Sequence, residues 1–297
     1  MTQFLFALVN GVALAAIYAL IAVGFVIIYK STQVLSFAQP ALLLLGGYWV
    51  VYFATTWNWP FWVAVLMAAA LAALIGLVIE RGFLRPMVGK PIFAVAIMTI
   101  GIDLIIRIAT LDLLGTDLRS MGDPWGLKLV EIGSVNIAHR QIAAVVAAVV
   151  LVSAVLLFFR FSRFGLAMRA TAFDQEVAIS QGVNVSRVFA ASWAIAAVLA
   201  MVAGVFLGSG TFFDKTIGVS ALKALPVIVV GGLDSIAGAL VGALIVGLAE
   251  TLSATYQPQY AEFLGRNFSQ VVPYLVMFIV LLVRPYGLFG TREVERV

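Results

Sequence analysis

Three ionisable residues interrupt otherwise apolar stretches of the chain: Asp103 and Arg107 within 91–110, and Glu250 within 235–261. On insertion scales each costs roughly 2.5–3.5 kcal/mol at the middle of a membrane helix, so each needs a partner or a task. Asp103 and Arg107 are four residues apart, a spacing that puts both on one helical face. There they form an internal ion pair or line a path for a polar solute. Glu250 either reaches water or meets a neighbouring helix. Three such groups, dispersed along the chain, are too few for a proton relay.

Other chemistry is scarce. The chain has no cysteine, which excludes disulfides, thiol nucleophiles and Cys-ligated metal centres. Its one histidine, His139, stands at a span boundary beside Arg140, a setting for a solvated interfacial side chain, and His-pair metal sites are excluded. There is no G-x-S-x-G elbow and no H-E-x-x-H motif. Gly89-Lys90 ends like a phosphate loop, but Leu84 stands where its first glycine belongs and Pro91 follows the lysine. Without a Walker A motif the chain cannot hydrolyse ATP by that route. No catalytic residue and no metal site emerges from the sequence.

The elements that position these residues follow from composition. Of 297 residues 63% are apolar and 11% charged, with a mean hydropathy of +1.11. Soluble domains run near 45–50% apolar and about 25% charged, so an ordinary globular enzyme, a disordered chain and a collagen are all excluded. The net charge of +4 is not massed on a soluble segment, which argues against nucleic-acid binding.

A membrane helix needs about 20 mostly apolar residues. Uncharged runs cover 1–29, Ser31–Ile79, Gln141–Phe159, Val188–Phe213 and Asn267–Val283. Spans are expected near 4–29, 41–56, 61–80, 91–110, 140–159, 188–208, 236–256 and 269–285. The first lacks a basic n-region and a cleavage site, and reads as a retained span. Trp49, Tyr52, Trp57, Trp59 and Trp62 crowd the turn after the second span, as an interfacial aromatic belt does. Gly204 with Gly208, Gly238 with Gly242, and Gly11 with Ala15 and Ala19 recur at spacings that let helices pack closely in lipid.

Lysine and arginine set the orientation. Lys30, the group Arg81, Arg85 and Lys90, the group Arg160, Arg163, Arg169 and Arg187, and the group Arg284, Arg292 and Arg296 hold 11 of the 18 bases. Loop 111–139 instead carries Asp112, Asp117, Asp123 and Glu131 against Arg119 and Lys128. The loop belongs outside and the basic groups in the cytoplasm, with the amino terminus outside and the carboxyl tail inside. An even number of crossings must then separate 160–187 from the tail. Ile217–Leu233 has to supply one of them, although Pro226, Gly231 and Gly232 interrupt it. Irregular backbone at membrane depth is tolerated where protein buries it or where it lines a cavity. The expected fold is therefore all-α and polytopic: one membrane domain over 1–297, with about eight spanning helices plus one broken or half-crossing helix.

Two segments stand out. In Phe164–Val188 the residues Ala170, Phe173, Val177 and Ala178 recur at helical spacing as one apolar face, Asp174 and Glu176 lie on other faces, and Gly182 offers a stop. Such a short amphipathic helix docks into a partner or lies on the membrane. In Ser31–Gly47, Ser36 and Gln39 flank Phe37-Ala38, Pro40 opens a helix, and the pair Gly46-Gly47 follows. A polar break before a span, then paired glycines, shapes a cavity in transporters. Pro226 with Gly231-Gly232 repeats the arrangement, which predicts two irregular helices facing one another.

The opening segment, with Asn10, Gly11, Tyr18, Ala19, Leu20, Ala22 and Gly24 followed by Ser36, Phe37, Ala38 and Gln39, resembles the first two spans of LivH-type permease subunits of branched-chain amino acid (hydrophobic amino acid uptake) ABC importers. The loop residues Arg169, Ala170, Asp174, Ala178, Gly182 and Val183 look like that family's coupling segment. The glycine-rich stretch from Leu222 to Tyr256 and the ending GTREVERV are also similar to it. Gln39 stands where many relatives have histidine.

The resemblance implies a subunit of the bacterial inner membrane. It would pair with a homologous LivM-type permease, two cytoplasmic ABC ATPases and a periplasmic solute-binding protein. ATP and Mg would sit on the ATPases, with no cofactor on this chain. Arg169, Ala170, Asp174, Glu176, Ala178, Gly182 and Val183 would couple to the ATPases. Ser36, Phe37, Ala38, Gln39, Gly46, Gly47, Pro226, Gly231 and Gly232 would line the translocation path. The cargo would be branched-chain amino acids or related small amino acid, amide or carboxylate solutes. The alternatives are an ion-coupled secondary transporter of small organic solutes, which the thin set of intramembrane carboxylates disfavours, and an intramembrane enzyme, for which no constellation is visible.

Overall fold

The computed structural model describes residues 2–87, 90–114, 119–126, 128–132, 135–209, 212–213, 217–265 and 267–291. Gly89, Asp117, Arg292 and Arg296, which figure in the sequence reading, lie outside the described residues.

Helices follow the uncharged runs. They are α1 (Thr2–Thr32), α2 (Gln39–Thr55), α3 (Phe61–Ile79), α4 (Ile92–Leu114), α5 (His139–Phe161), α6 (Arg163–Phe173), α7 (Gln175–Ser180), α8 (Val185–Gly208), α9 (Ile217–Ser220), α10 (Ala224–Gly231), α11 (Ile236–Tyr260) and α12 (Val272–Val283). Among the described residues six helical segments are long and apolar enough to cross a membrane, belonging to α1, α3, α4, α5, α8 and α11. The shorter α2 and α12 occupy the two other expected spans.

Helices that are apolar all round sort themselves by what surrounds them. α2 is enclosed on nearly every side by protein. In contrast, α4 and α5 turn Ile97, Leu104, Ile105, Val146, Val149 and Val150 outward, as lipid-facing helices do. The centre is built from α1, α2, α8 and α11, drawn together by small residues. A Cβ on Gly204 of α8 would lie 2.5 Å from the Leu43 carbonyl oxygen of α2. Gly11 and Gly247 make the corresponding close approach between α1 and α11, against Leu248 and Ala15.

Two short antiparallel ribbons close one end. β1 (Arg119–Ser120) pairs with β4 (Phe212–Phe213), and β2 (Leu129–Ile132) pairs with β3 (Val135–Ala138). The same end carries the aromatic turn, where the rings of Trp49, Tyr52, Phe53, Trp57 and Trp59 are in mutual contact. Trp62 meets Phe61 and Trp125 beside them.

The opposite end gathers the basic loops. One cavity of ≈ 660 Å³ there is lined by Lys30, Gln33, Asp174, Gln175, Asp234 and Tyr286, among others. The end of α1, the α6–α7 hairpin, the α10–α11 turn and the stretch after α12 therefore meet at one end. The chain consequently traverses the bundle between the end of α8 and the start of α11, through the interrupted stretch 217–231. That stretch is α9, a 3₁₀ turn over Ala221–Lys223, and α10. Pro226 is the third residue of α10, where a helix needs no N–H donor. α10 stops at Gly231 because Gly232 adopts φ +109°, a conformation that an L side chain resists.

Candidate functional site

The loop 164–188 is not one amphipathic helix. Asp174 breaks it, with φ −157° and ψ 116°, and its Oδ1 accepts a 3.0 Å hydrogen bond from the Val177 N–H as the N-cap of α7. The short polar side chain competes for backbone donors and starts a new helix instead of extending the old one. The expected four-residue face is split as a result. Ala178 is buried with Val185 and Phe189, and Ala170 and Val183 pack against them, while Phe173 and Val177 point outward. Phe173 is 94% exposed at the tip of the hairpin.

Gly182 does end α7. With φ +82°, it lets its N–H reach the Ile179 carbonyl at 2.9 Å and the Val183 N–H reach the Ala178 carbonyl at 3.0 Å. This double hydrogen bond satisfies carbonyls that a helix end leaves open. The Arg169 guanidinium donates to the Phe159 carbonyl, tying α6 to the end of α5, and Glu176 is exposed. The hairpin is thus a capped, anchored projection with an apolar tip.

The polar break before α2 turns back into the bundle. α1 ends at Thr32, Gln33 takes φ +57° with its N–H bonded to Tyr29, and the chain re-enters in non-helical form. The Phe37 N–H donates to Thr99 Oγ1 at 3.0 Å and the Ala38 N–H to Ser36 Oγ at 3.3 Å, so backbone donors at depth are met by hydroxyls. Gln39 then lies beside Gly24 of α1 and Ala196 of α8, roughly 12 Å above the end of α1 at 1.5 Å per residue. Its amide is fully buried, and among the described residues neither polar atom has a hydrogen-bond partner. Gly46 packs on Met201, and Gly47 on the Phe213 ring.

The two Pro-Gly-Gly elements meet only in part. Gly218 of α9 approaches Pro40 and Leu44 of α2, and α9 and the 3₁₀ turn both contact that helix. Gly231 packs instead on Gly238 of α11, and Gly232 on Gly290, away from α2. Pro226 is buried within α10. The start of the broken helix thus meets α2 at Pro40 and Leu44, beside the segment of Ser36, Phe37, Ala38 and Gln39, while Gly46 and Gly47 pack elsewhere and the broken helix's own glycine end is set apart.

The charged residues form two pairs along that broken helix. Asp103 and Arg107 pair within α4, Nη2 to Oδ2 at 2.9 Å, and the Arg107 guanidinium borders Gly218. Glu250 accepts from the Tyr18 hydroxyl at 2.7 Å and forms an ion pair with Lys223 in the 3₁₀ turn. Sequence reasoning missed Lys223 and gave Tyr18 no role. The available signal was that Lys223 is the sole charge in Ile217–Leu233 and so requires an anion. At the opposite end Arg140 Nη1 donates to the Ser209 carbonyl at 2.5 Å, a link the sequence did not indicate. Among the described residues no three His, Cys, Asp or Glu side chains are placed to share a metal ion.

Residues 7–281 match the family described as the branched-chain amino acid transport system permease component. The chain belongs to this family. The permease is 31% identical to the high-affinity branched-chain amino acid transport system permease protein LivH of Escherichia coli K12, over 99% of this chain and 98% of that one. It is 32% identical to the corresponding protein BraD of Pseudomonas aeruginosa, over 98% and 97%. A third relative, from Methanocaldococcus jannaschii and described as a probable LivH, is 25% identical over 91% and 88%. Among solved structures, a chain of PsaBC from Streptococcus pneumoniae in complex with Fab aligns with 96% of the permease and 93% of that chain at TM-score 0.49 and 12% identity. Family membership and the six long apolar helical segments among the described residues make the permease a polytopic membrane component of a transport system.

Proposed function

We propose that the permease is the membrane subunit of an ATP-driven ABC importer of the inner (cytoplasmic) membrane, with the amino terminus periplasmic and the basic end cytoplasmic. It forms the translocation path with a homologous LivM-type permease. Two ABC ATPases, carrying ATP and Mg, dock on the α6–α7 hairpin, and a periplasmic binding protein delivers the cargo. Branched-chain amino acids are the cargo. The near full-length likeness to permeases of branched-chain amino acid systems carries this reading.

The hairpin suits a handle. Its apolar tip can bury in a partner groove, while its caps and the Arg169 anchor keep it from bending independently of α5 and α8. ATP binding and release favour different arrangements of the ATPases. The permease follows to the extent that its two states bind them differently. Residues 36–47 and the start of the broken helix, 217–223, line the path that opens alternately to each side. Coexpression tests the reading: the ATPases copurify with the wild-type chain, and Asp174→Arg or Gly182→Trp abolishes ATP-driven leucine uptake while the chain still inserts. Unchanged uptake in both variants contradicts it.

A further inference from the structure

Lys223 and Glu250 belong to different elements, unlike Asp103 and Arg107, which sit on one helix. Lys223 is in the 3₁₀ turn between α9 and α10, where the regular helical ladder is interrupted, and Glu250 is on the continuous α11. Glu250 is 14 residues beyond the start of α11, about 21 Å at 1.5 Å per residue, which places the pair far from either end of the helix. Charges at such depth default to functional sites, and transporters place cargo contacts where a helix is broken near the midplane. The side chains keep 15% and 10% of their surface exposed, in contrast to the sealed Gln39 amide. The second oxygen of Glu250 is held by Tyr18, so the carboxylate stays oriented if Lys223 leaves.

An ammonium and a carboxylate that separate at this depth must each find a counter-charge. An α-amino acid carries both, a few ångströms apart. We propose that Lys223 and Glu250 part during transport to receive the zwitterionic head of the cargo, Lys223 taking its carboxylate and Glu250 its ammonium. The exchange replaces one ion pair by two and leaves the net charge in the membrane unchanged. A cargo with a single charge would strand one side chain, so the pair selects zwitterions over amides and simple carboxylates. This rests on the amino acid reading above.

The test is equilibrium binding of radiolabelled leucine to the purified permease–ATPase complex, alongside uptake by the complete importer. The expected result is leucine binding by the wild type, with leucinamide and 4-methylpentanoate competing at least tenfold less well. In Lys223→Met/Glu250→Gln, which leaves no unpaired charge, the complex assembles but leucine binding weakens at least tenfold and uptake at saturating leucine falls as far. A pair that merely braces the fold predicts recovery in the double variant, so binding within twofold of wild type overturns the proposal. So does equal competition by the single-charge analogues, or a wild-type complex that transports leucine without binding it. If the double variant does not assemble, Tyr18→Phe is read instead: leucine binding severalfold weaker supports the proposal, and unchanged binding overturns it. A complete wild-type importer that takes up no amino acid overturns the parent reading itself.

Discussion

The Tyr18 hydroxyl donates a 2.7 Å hydrogen bond to Glu250, joining α1 to α11 across 232 residues of chain. Lys223 completes the contact from the broken helix, so three elements meet at one carboxylate. Removing one partner of a buried pair leaves an uncompensated charge and costs about 3–5 kcal/mol, whereas removing both is often near neutral. Lys223→Met alone is expected to lower the thermal stability of the purified chain sharply, and adding Glu250→Gln is expected to recover most of it. Equal melting of the single and double variants would show that the pair is solvated.

Asp174 acts on α7 through an acceptor oxygen, not through its charge alone. Asp174→Ala removes the cap at a cost of about 1 kcal/mol, and Asp174→Asn keeps an acceptor at little cost. ATP-driven uptake is expected to fall with Ala and to be largely kept with Asn. Equal loss in both variants would assign the role to the charge.

The central helices cross where a side chain would strike backbone. Gly204→Ala brings a Cβ to 2.5 Å from the Leu43 carbonyl and is expected to reduce the yield of folded chain. At Gly101, where nothing among the described residues lies within 4 Å of the added Cβ, alanine is expected to be neutral or stabilising by up to about 1 kcal/mol through helix propensity. Detergent-solubilised yield and melting temperature of the two variants measure the difference.

Much of this was legible in the residues. Apolar runs and their flanking bases mark where the helices lie, and Pro226 with Gly231-Gly232 marks the broken one, because lipid leaves the backbone few options. Gly182 was readable as a stop for the same local reason. The helix break at Asp174 was not recognised: apolar periodicity through Ala170, Phe173, Val177 and Ala178 outweighed the capping preference of a short acidic side chain. Lys223 was missed because its partner lies 27 residues away on another helix, a contact that spacing along one helix cannot show. The depth of Gln39 likewise depends on how α1, α2 and α8 cross.

Orientation has a direct assay, since the natural chain has no cysteine. Phe173 at the hairpin tip and Tyr260 at the far end of α11 are both well exposed. With the hairpin cytoplasmic, Phe173→Cys is labelled by an impermeant maleimide only after the membrane is opened, and Tyr260→Cys in intact cells. The reverse pattern inverts the topology.

The measurement that bears most directly on the whole account is leucine uptake into proteoliposomes containing this chain, alone and with the second permease, ATPases and binding protein proposed for it. The account predicts accumulation only for the full set with ATP. Uptake by the chain alone, driven by an ion gradient without ATP, would contradict it.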